Sequence, residues 1–333
     1  MSSRPKRPPP AKVTMSIPEM TRTERVMAAV NGGSVDRLPV CFWRHFTPAG
    51  SGRRMAEASL DFFDDVFDLD IIKVMPDIPY PFPKKSIHAV EDWRLIEPLN
   101  PSESRFFQQR AEAVRVLRDE VGFDTPIIVT LFSPLCEALY FTADRDAFVQ
   151  TARESPTIVH ESLATIAENL RAHIRDVIDA GADGVFFALQ GCTTAMMPVE
   201  TYREFGRPYD LLALQGAANG WLNTLHIHGE RDLMFDQVLD YPVQVLSWSD
   251  RIAGPSLREA RTLTSKCLMG GWSEAGALTT GPEVAIRKEA QDALSQTGGR
   301  KLILANGCSV PDDVDEQWLH AARDIVEDLE FDD

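Results

Sequence analysis

Trp221-Leu222-Asn223-Thr224-Leu225-His226-Ile227-His228-Gly229 is the stretch on which the fold turns. Its body is largely apolar, and it ends abruptly in Gly229-Glu230-Arg231-Asp232. That pattern reads as a buried strand running out into a loop. Side chains two apart on a strand point to the same side, so His226 and His228 stand together at the strand's carboxyl end. Two imidazoles fill a core poorly but suit a divalent metal that takes nitrogen ligands. The alternative is a hydrogen-bonded histidine pair that merely plugs the space, since histidine is also buried for packing.

Working outward, short apolar runs recur at 38–42, 69–74, 126–131, 184–189, 221–228, 243–247, 266–270 and 301–305. Between most of them lie amphipathic stretches of helical length, at 103–120, 157–180, 200–217, 256–262, 282–295 and 314–329. A first helix is announced by the capping box Thr21-Arg22-Thr23-Glu24 and stopped by Gly32-Gly33. Eight buried strands mostly separated by helices imply an α/β fold, a parallel (β/α)₈ TIM barrel with an N-terminal helical extension. A doubly wound open sheet is the alternative. No internal repeat and no Gly/Ser-rich linker divides the chain, so residues 18–333 read as one domain. Residues 1–17 stand apart: Arg4, Lys6, Arg7 and Lys12 lie among four prolines with no acid, a disordered tail.

Composition narrows the function. Of 333 residues 44% are hydrophobic and 25% charged, as in ordinary globular proteins. The net charge of -16, from 34 basic and 50 acidic residues, argues against a nucleic-acid binder and against docking on anionic lipid. No apolar run reaches the roughly 18 residues that a membrane span needs. Five scattered cysteines make no disulfide framework, which fits a reducing, cytoplasmic setting.

Barrel enzymes carry their chemistry just past the carboxyl ends of the strands. Those places hold Trp43-Arg44-His45, Pro76-Asp77, Ser133 to Tyr140, Gln190-Gly191-Cys192, the two histidines, Trp248 with Asp250 and Arg251, Gly271-Trp272, and Asn306-Gly307-Cys308. As a thiolate Cys308 offers zinc a soft ligand beside the two imidazoles. Three protein ligands leave a fourth position open, the arrangement of catalytic zinc. A lone buried cysteine is the plain alternative, and Cys192 is a second candidate ligand.

Several stretches together resemble the uroporphyrinogen decarboxylase superfamily, which holds the decarboxylase and the zinc-dependent methyltransferases that serve methyl-corrinoid proteins. Glu24-Arg25-Val26-Met27-Ala28-Ala29-Val30 with Val35-Asp36-Arg37-Leu38-Pro39-Val40 is similar to the family's first helix and strand. Phe42-Trp43-Arg44 falls on its carboxylate-binding arginine motif. Pro198, Tyr202-Arg203-Glu204-Phe205 and Pro208-Tyr209 resemble its middle helix. Leu225-His226-Ile227-His228-Gly229 falls on the methyltransferases' H-x-C-G, and Gly307-Cys308 with Pro311 on their late G-C…P. The likeness runs from about Thr21 to Leu329 and implies a (β/α)₈ barrel.

The departures sort the two branches. Cys308 stands where the decarboxylase has a histidine, which tilts the chain toward the methyltransferases. His228 stands where those have cysteine, and a neutral ligand there leaves the metal more positive, so iron or cobalt joins zinc as a candidate. Asp77 falls on the decarboxylase's essential aspartate and Tyr140 on its substrate-contacting tyrosine. The second arginine of the decarboxylase motif is missing, and Arg53-Arg54 lie out of register.

The expected roles follow. His226, His228 and Cys308 hold Zn²⁺; Arg44 binds a substrate carboxylate or phosphate; Asp77 is a general acid or base; Tyr140 assists catalysis. Gln190, Trp248 and Trp272 contact substrate, and Asp250 either orients a metal-bound histidine or pairs with Arg251 alone. The expected function is zinc-dependent methyl transfer between a methylated carrier and a thiol. A corrinoid is the candidate carrier, a corrinoid protein the candidate partner, and a homodimer the assembly that the resemblance implies. The alternatives are a decarboxylase or other lyase on a small acid or tetrapyrrole, and a non-catalytic barrel that binds a corrinoid or tetrapyrrole.

Overall fold

In a computed structural model the chain is described over residues 18–46, 50–76, 78–84, 86–142 and 144–329. The basic tail expected at 1–17 and the candidate acid Asp77 lie outside the described residues. Eight strands form one sheet: β1 (Val40–Cys41), β2 (Ile72–Val74), β3 (Ile127–Phe132), β4 (Gly184–Leu189), β5 (Thr224–Ile227), β6 (Val245–Trp248), β7 (Cys267–Trp272) and β8 (Leu302–Asn306). Their order is β1-β8-β7-β6-β5-β4-β3-β2, and every ladder is parallel. With helices between most successive strands, this is a (β/α)₈ barrel. Among the described residues no helix is long and apolar enough to cross a membrane.

The seam between β1 and β2 carries no ladder, and one carboxylate closes it. Asp70 donates its backbone N–H to the Val40 carbonyl at 3.0 Å, and its Oδ2 accepts the Val40 N–H at 2.8 Å. Asp70 is fully buried, so its charge needs partners. Arg25 meets Oδ1 at 2.7 Å and Arg37 meets Oδ2 at 2.6 Å. Arg25 also reaches Asp36 at 2.6 Å. Arg25 sits on the helix Arg22–Asn31, capped by Thr21 and ended by Gly32 in the left-handed conformation, φ 79°. The N-terminal helix is thus riveted under the barrel, at the end where barrel folds keep stability rather than chemistry.

Inside the barrel the period of two decides what faces the mouth. Lys73 and Met75, Thr130 and Phe132, Phe186 and Ala188, and His226 and His228 are alternate residues of successive strands, and all line one cavity. The register sets Ala188 beside His226 and His226 beside Ser247.

The stretch expected as one helix at 200–217 is instead Val199–Phe205, then Arg207–Leu214, then a short 3₁₀ turn. Pro208 breaks it, because its ring crowds the preceding turn and it has no N–H to donate. The segment Ser133 to Tyr140 that follows β3 contains the helix Pro134–Phe141, with Ser133 accepting the Cys136 N–H as its N-cap.

Candidate metal centre

His226 is the last residue but one of β5 and His228 lies one step past its end, with ring centroids 5.8 Å apart. Cys308 arrives from β8 through a tight turn. Asn306 holds that turn by donating its side-chain amide to the carbonyls of Trp43 at 3.0 Å and Cys308 at 2.6 Å. Gly307 is needed there because an added Cβ would lie 2.5 Å from the Cα of Ser249. The result brings Sγ of Cys308 to 3.6 Å from Nδ1 of His228. One ligand atom from each of His226, His228 and Cys308 falls within a mutual 4.8 Å.

The donor set fits a tetrahedral ion. Bonds of roughly 2.0 Å to nitrogen and 2.3 Å to sulfur, at the tetrahedral angle, set the two ligands about 3.5 Å apart. Burial holds His226 well below the usual histidine range, with His228 and Lys73 pushing the same way. Burial lowers His228 too, although Glu230 and Glu274 oppose it. Both rings are therefore neutral at pH 7 and have lone pairs to give. Burial raises the Cys308 thiol; Glu274 adds to this, while the Ser309 N–H and Lys73 counter it. Nδ1 of His226 sits 3.2 Å from the Ser247 hydroxyl, which leaves Nε2 for a metal.

The three side chains open onto a cavity of about 120 Å³. Trp43 and Phe186 wall it, with centroids 5.2 Å apart, and the Phe186 ring stacks on His226 at 5.1 Å. The ammonium of the buried Lys73 lies over both aromatic rings, 4.9 Å from Trp43 and 4.3 Å from Phe186. Tyr140 and Gln190 border the cavity together, the Gln190 amide donating to the Tyr140 hydroxyl at 2.6 Å.

Other residues singled out in the sequence lie elsewhere. Arg44 turns outward to Glu316 at 2.8 Å and covers the Phe62 ring, so it does not line the cavity. Asp250 meets neither histidine: it accepts the Gly271 N–H at 2.9 Å and lies 3.6 Å from Arg251. Trp248 and Trp272 are fully buried, their indole N–H groups bonded to the carbonyls of Pro255 and Ile286. They pack behind the barrel wall rather than in its mouth. Cys192 is buried, with Sγ 3.8 Å from the Met234 carbonyl, apart from His226, His228 and Cys308.

Sequence reading passed over Lys73 and Glu274. The signal for Lys73 was a lone cation inside the apolar run Ile71-Ile72-Lys73-Val74. Glu274 follows β7 and accepts the Ser249 hydroxyl at 2.5 Å, and nothing in its local sequence marks it.

The family described as uroporphyrinogen decarboxylase (URO-D) matches residues 67–329. A methylcobamide:CoM methyltransferase MtaA from Methanosarcina barkeri (strain Fusaro / DSM 804) is 26% identical over 200 residues, 60% of this chain and 57% of that protein. The chain thus spans little more than half the length of that relative. A uroporphyrinogen decarboxylase from Synechococcus sp. (strain CC9605) is 25% identical over 277 residues, 79% of this chain and 74% of that protein. Among solved structures, a methyltransferase from Methanosarcina mazei superposes with a TM-score of 0.74 at 20% identity, covering 93% of this chain and 99% of that one. At that identity the likeness is one of fold, and it agrees with the eight parallel strands. The match over residues 67–329 is what identifies the chain: it belongs to the uroporphyrinogen decarboxylase family.

Proposed function

We propose that the protein is a zinc-dependent methyltransferase that moves a methyl group from a methylated carrier to a small thiol. The observation that carries this reading is the approach of Cys308 Sγ to His228 Nδ1, 3.6 Å, at a cavity that also holds His226. Likeness to a methylcobamide:CoM methyltransferase supports a corrinoid as the carrier and a corrinoid protein as the partner.

His226, His228 and Cys308 would hold the metal at the edge of the cavity. Zinc bound there would lower the pKa of an incoming thiol and keep it as a thiolate nucleophile. The chain supplies the rest. Ser247 fixes the His226 ring. Trp43 and Phe186 keep water from the reacting sulfur, while Lys73 adds positive charge that favours an anion. The Tyr140 hydroxyl accepts from Gln190 at the edge of the cavity. In the transfer the carrier–methyl bond breaks, a sulfur–methyl bond forms, and the thiol proton leaves to solvent.

Metal analysis tests the reading. About one zinc per chain, lost in Cys308→Ser, together with thiol-dependent demethylation of methylcobalamin, is the expected result. A folded protein that carries no metal and does not demethylate the carrier would overturn it. A second reading, a decarboxylase acting on a small acid, draws on the decarboxylase likeness, which extends over 79% of the chain. Carbon dioxide released from a carboxylic acid with no methyl acceptor present would favour it.

A further inference from the structure

Half of the Glu274 carboxylate has no partner. The residue lies two positions past β7 and is 8% exposed. Its Oε1 accepts the Ser249 hydroxyl at 2.5 Å, while its Oε2 is buried without a hydrogen bond to any described residue. Among the described residues no cation forms an ion pair with it. Arg251, on the loop after β6, is taken by Asp292 and lies 3.6 Å from Asp250 instead. The neighbouring acids have donors of their own: Asp250 accepts the Gly271 N–H and Glu289 the Ser273 N–H, each at 2.9 Å. A half-satisfied acid in the interior is costly unless a cation that enters the site meets it.

Oε2 lies against the turn that delivers Cys308. A Cβ on Gly307, the residue before that cysteine, would sit 2.8 Å from it. The negative charge of Glu274 is felt at both His228 and Cys308, and Lys73 acts on Cys308 with the opposite sign. Yet the group of ligand atoms that falls within 4.8 Å consists of His226, His228 and Cys308 and includes no carboxylate. Ser249 ties down the other oxygen, which keeps the acid beside the site rather than in it.

We propose that Glu274 is the charge partner of the metal, a carboxylate held outside the ligand shell whose Oε2 offsets positive charge that two neutral imidazoles and one thiolate leave on a divalent ion. The inference rests on the reading that His226, His228 and Cys308 hold a metal. It gives the orphaned oxygen a cation to face, and it makes Glu274 a positioning residue that acts through the ion. An incoming thiolate on a less positive metal keeps more of its electron density, which suits a nucleophile.

The charge of the ion supplies the test. Coulomb energy scales with the product of the charges, so a nearby carboxylate favours a divalent ion about twice as strongly, on a logarithmic scale, as a monovalent one. A residue that merely braced the loop would act on both alike. The full-length protein is stripped by chelation and reloaded with zinc(II) or with copper(I), a monovalent ion that also takes imidazole and thiolate. Each affinity is measured by chelator competition. Glu274→Gln keeps the shape and the bond to Ser249 but not the charge. It is expected to weaken zinc by about 10–100-fold and copper(I) by only about 3–10-fold. Glu274→Ala, a second variant without the charge, should again weaken zinc more than copper(I). Stripped Glu274→Gln should unfold at the same or a higher urea concentration than the stripped parent, since the unpaired acid is gone. Unchanged zinc affinity, equal losses for the two ions, or a lower urea midpoint for the stripped variant would overturn the proposal. A parent protein that takes up no zinc would overturn the metal reading as well, so the two failures are told apart.

Discussion

Sγ of Cys308 lies 3.6 Å from Nδ1 of His228, although 80 positions of sequence separate the two residues. They end β8 and β5, which have β6 and β7 between them around the barrel, so the approach is a chord across the mouth. Gly307 keeps that chord short. An alanine Cβ there would sit 2.5 Å from the Ser249 Cα and 2.8 Å from Glu274 Oε2. The backbone atom cannot swing aside, so the turn itself must move. Gly307→Ala is expected to weaken zinc at least about tenfold in a chelator competition and to destabilise the fold by about 1–3 kcal/mol. Unchanged zinc affinity in this variant would show that the turn does not set the cysteine.

Ser247 is the neighbour that orients His226, with the hydroxyl 3.2 Å from Nδ1. The serine is fully buried, and the β5–β6 register sets it directly beside the histidine. Partners of this kind typically change metal affinity by about 10–100-fold when removed. Ser247→Ala should therefore bind zinc more weakly by that factor while unfolding at nearly the same denaturant concentration. Asp250→Asn should leave zinc affinity alone, because Asp250 bonds to Gly271 and Arg251 instead. The opposite ranking of the two variants would assign the orienting role to Asp250.

The barrel was legible because its strands are apolar runs of fixed spacing, and His226, His228 and Cys308 each lie near the end of such a run. The bond between His226 and Ser247 was not legible. It depends on register between strands, and register is set by the sheet and not by either strand alone. Arg44 shows the reverse case. Its place in a family motif suggested a substrate contact, but a cation has many acids within reach on a surface this rich in them, and Glu316 takes it. Trp248 and Trp272 follow the right strands, yet their indole N–H groups find carbonyls behind the wall, and that decides which way each ring points. Lys73 hid inside an apolar run, since a single cation does not alter the periodicity by which a strand is recognised.

Asp70 is the point at which the barrel seam can be broken. Its carboxylate is fully buried and serves Arg25, Arg37 and the Val40 N–H at once. Asp70→Asn keeps the shape but removes the charge that two buried guanidinium groups share. Breaking a buried pair in this way costs about 3–5 kcal/mol. Urea unfolding should show a loss in that range, with the transition still cooperative. A loss below about 1 kcal/mol would mean that solvent already screens the arginines.

The same network sets an acid limit on stability through Asp36. Burial alone would raise this carboxyl, but the Arg25 side chain and the N–H groups of Met20 and Arg37 bring it from 3.8 down to about 2. Its side chain is 13% exposed, so solvent screens the pair little. A carboxylate whose pKa is lower in the folded chain binds its proton more tightly once unfolded. Its contribution is therefore complete above about pH 4 and disappears as the pH falls through about 2. The difference amounts to about 2 kcal/mol. Asp36→Asn should be less stable than the parent at pH 7 by about that amount, and the gap should close as the pH is lowered from 4 to 2. Unfolding free energies measured across that interval check both the size and the direction, and a gap that widened toward low pH would show that the Arg25–Asp36 pair is not what holds the helix to the barrel.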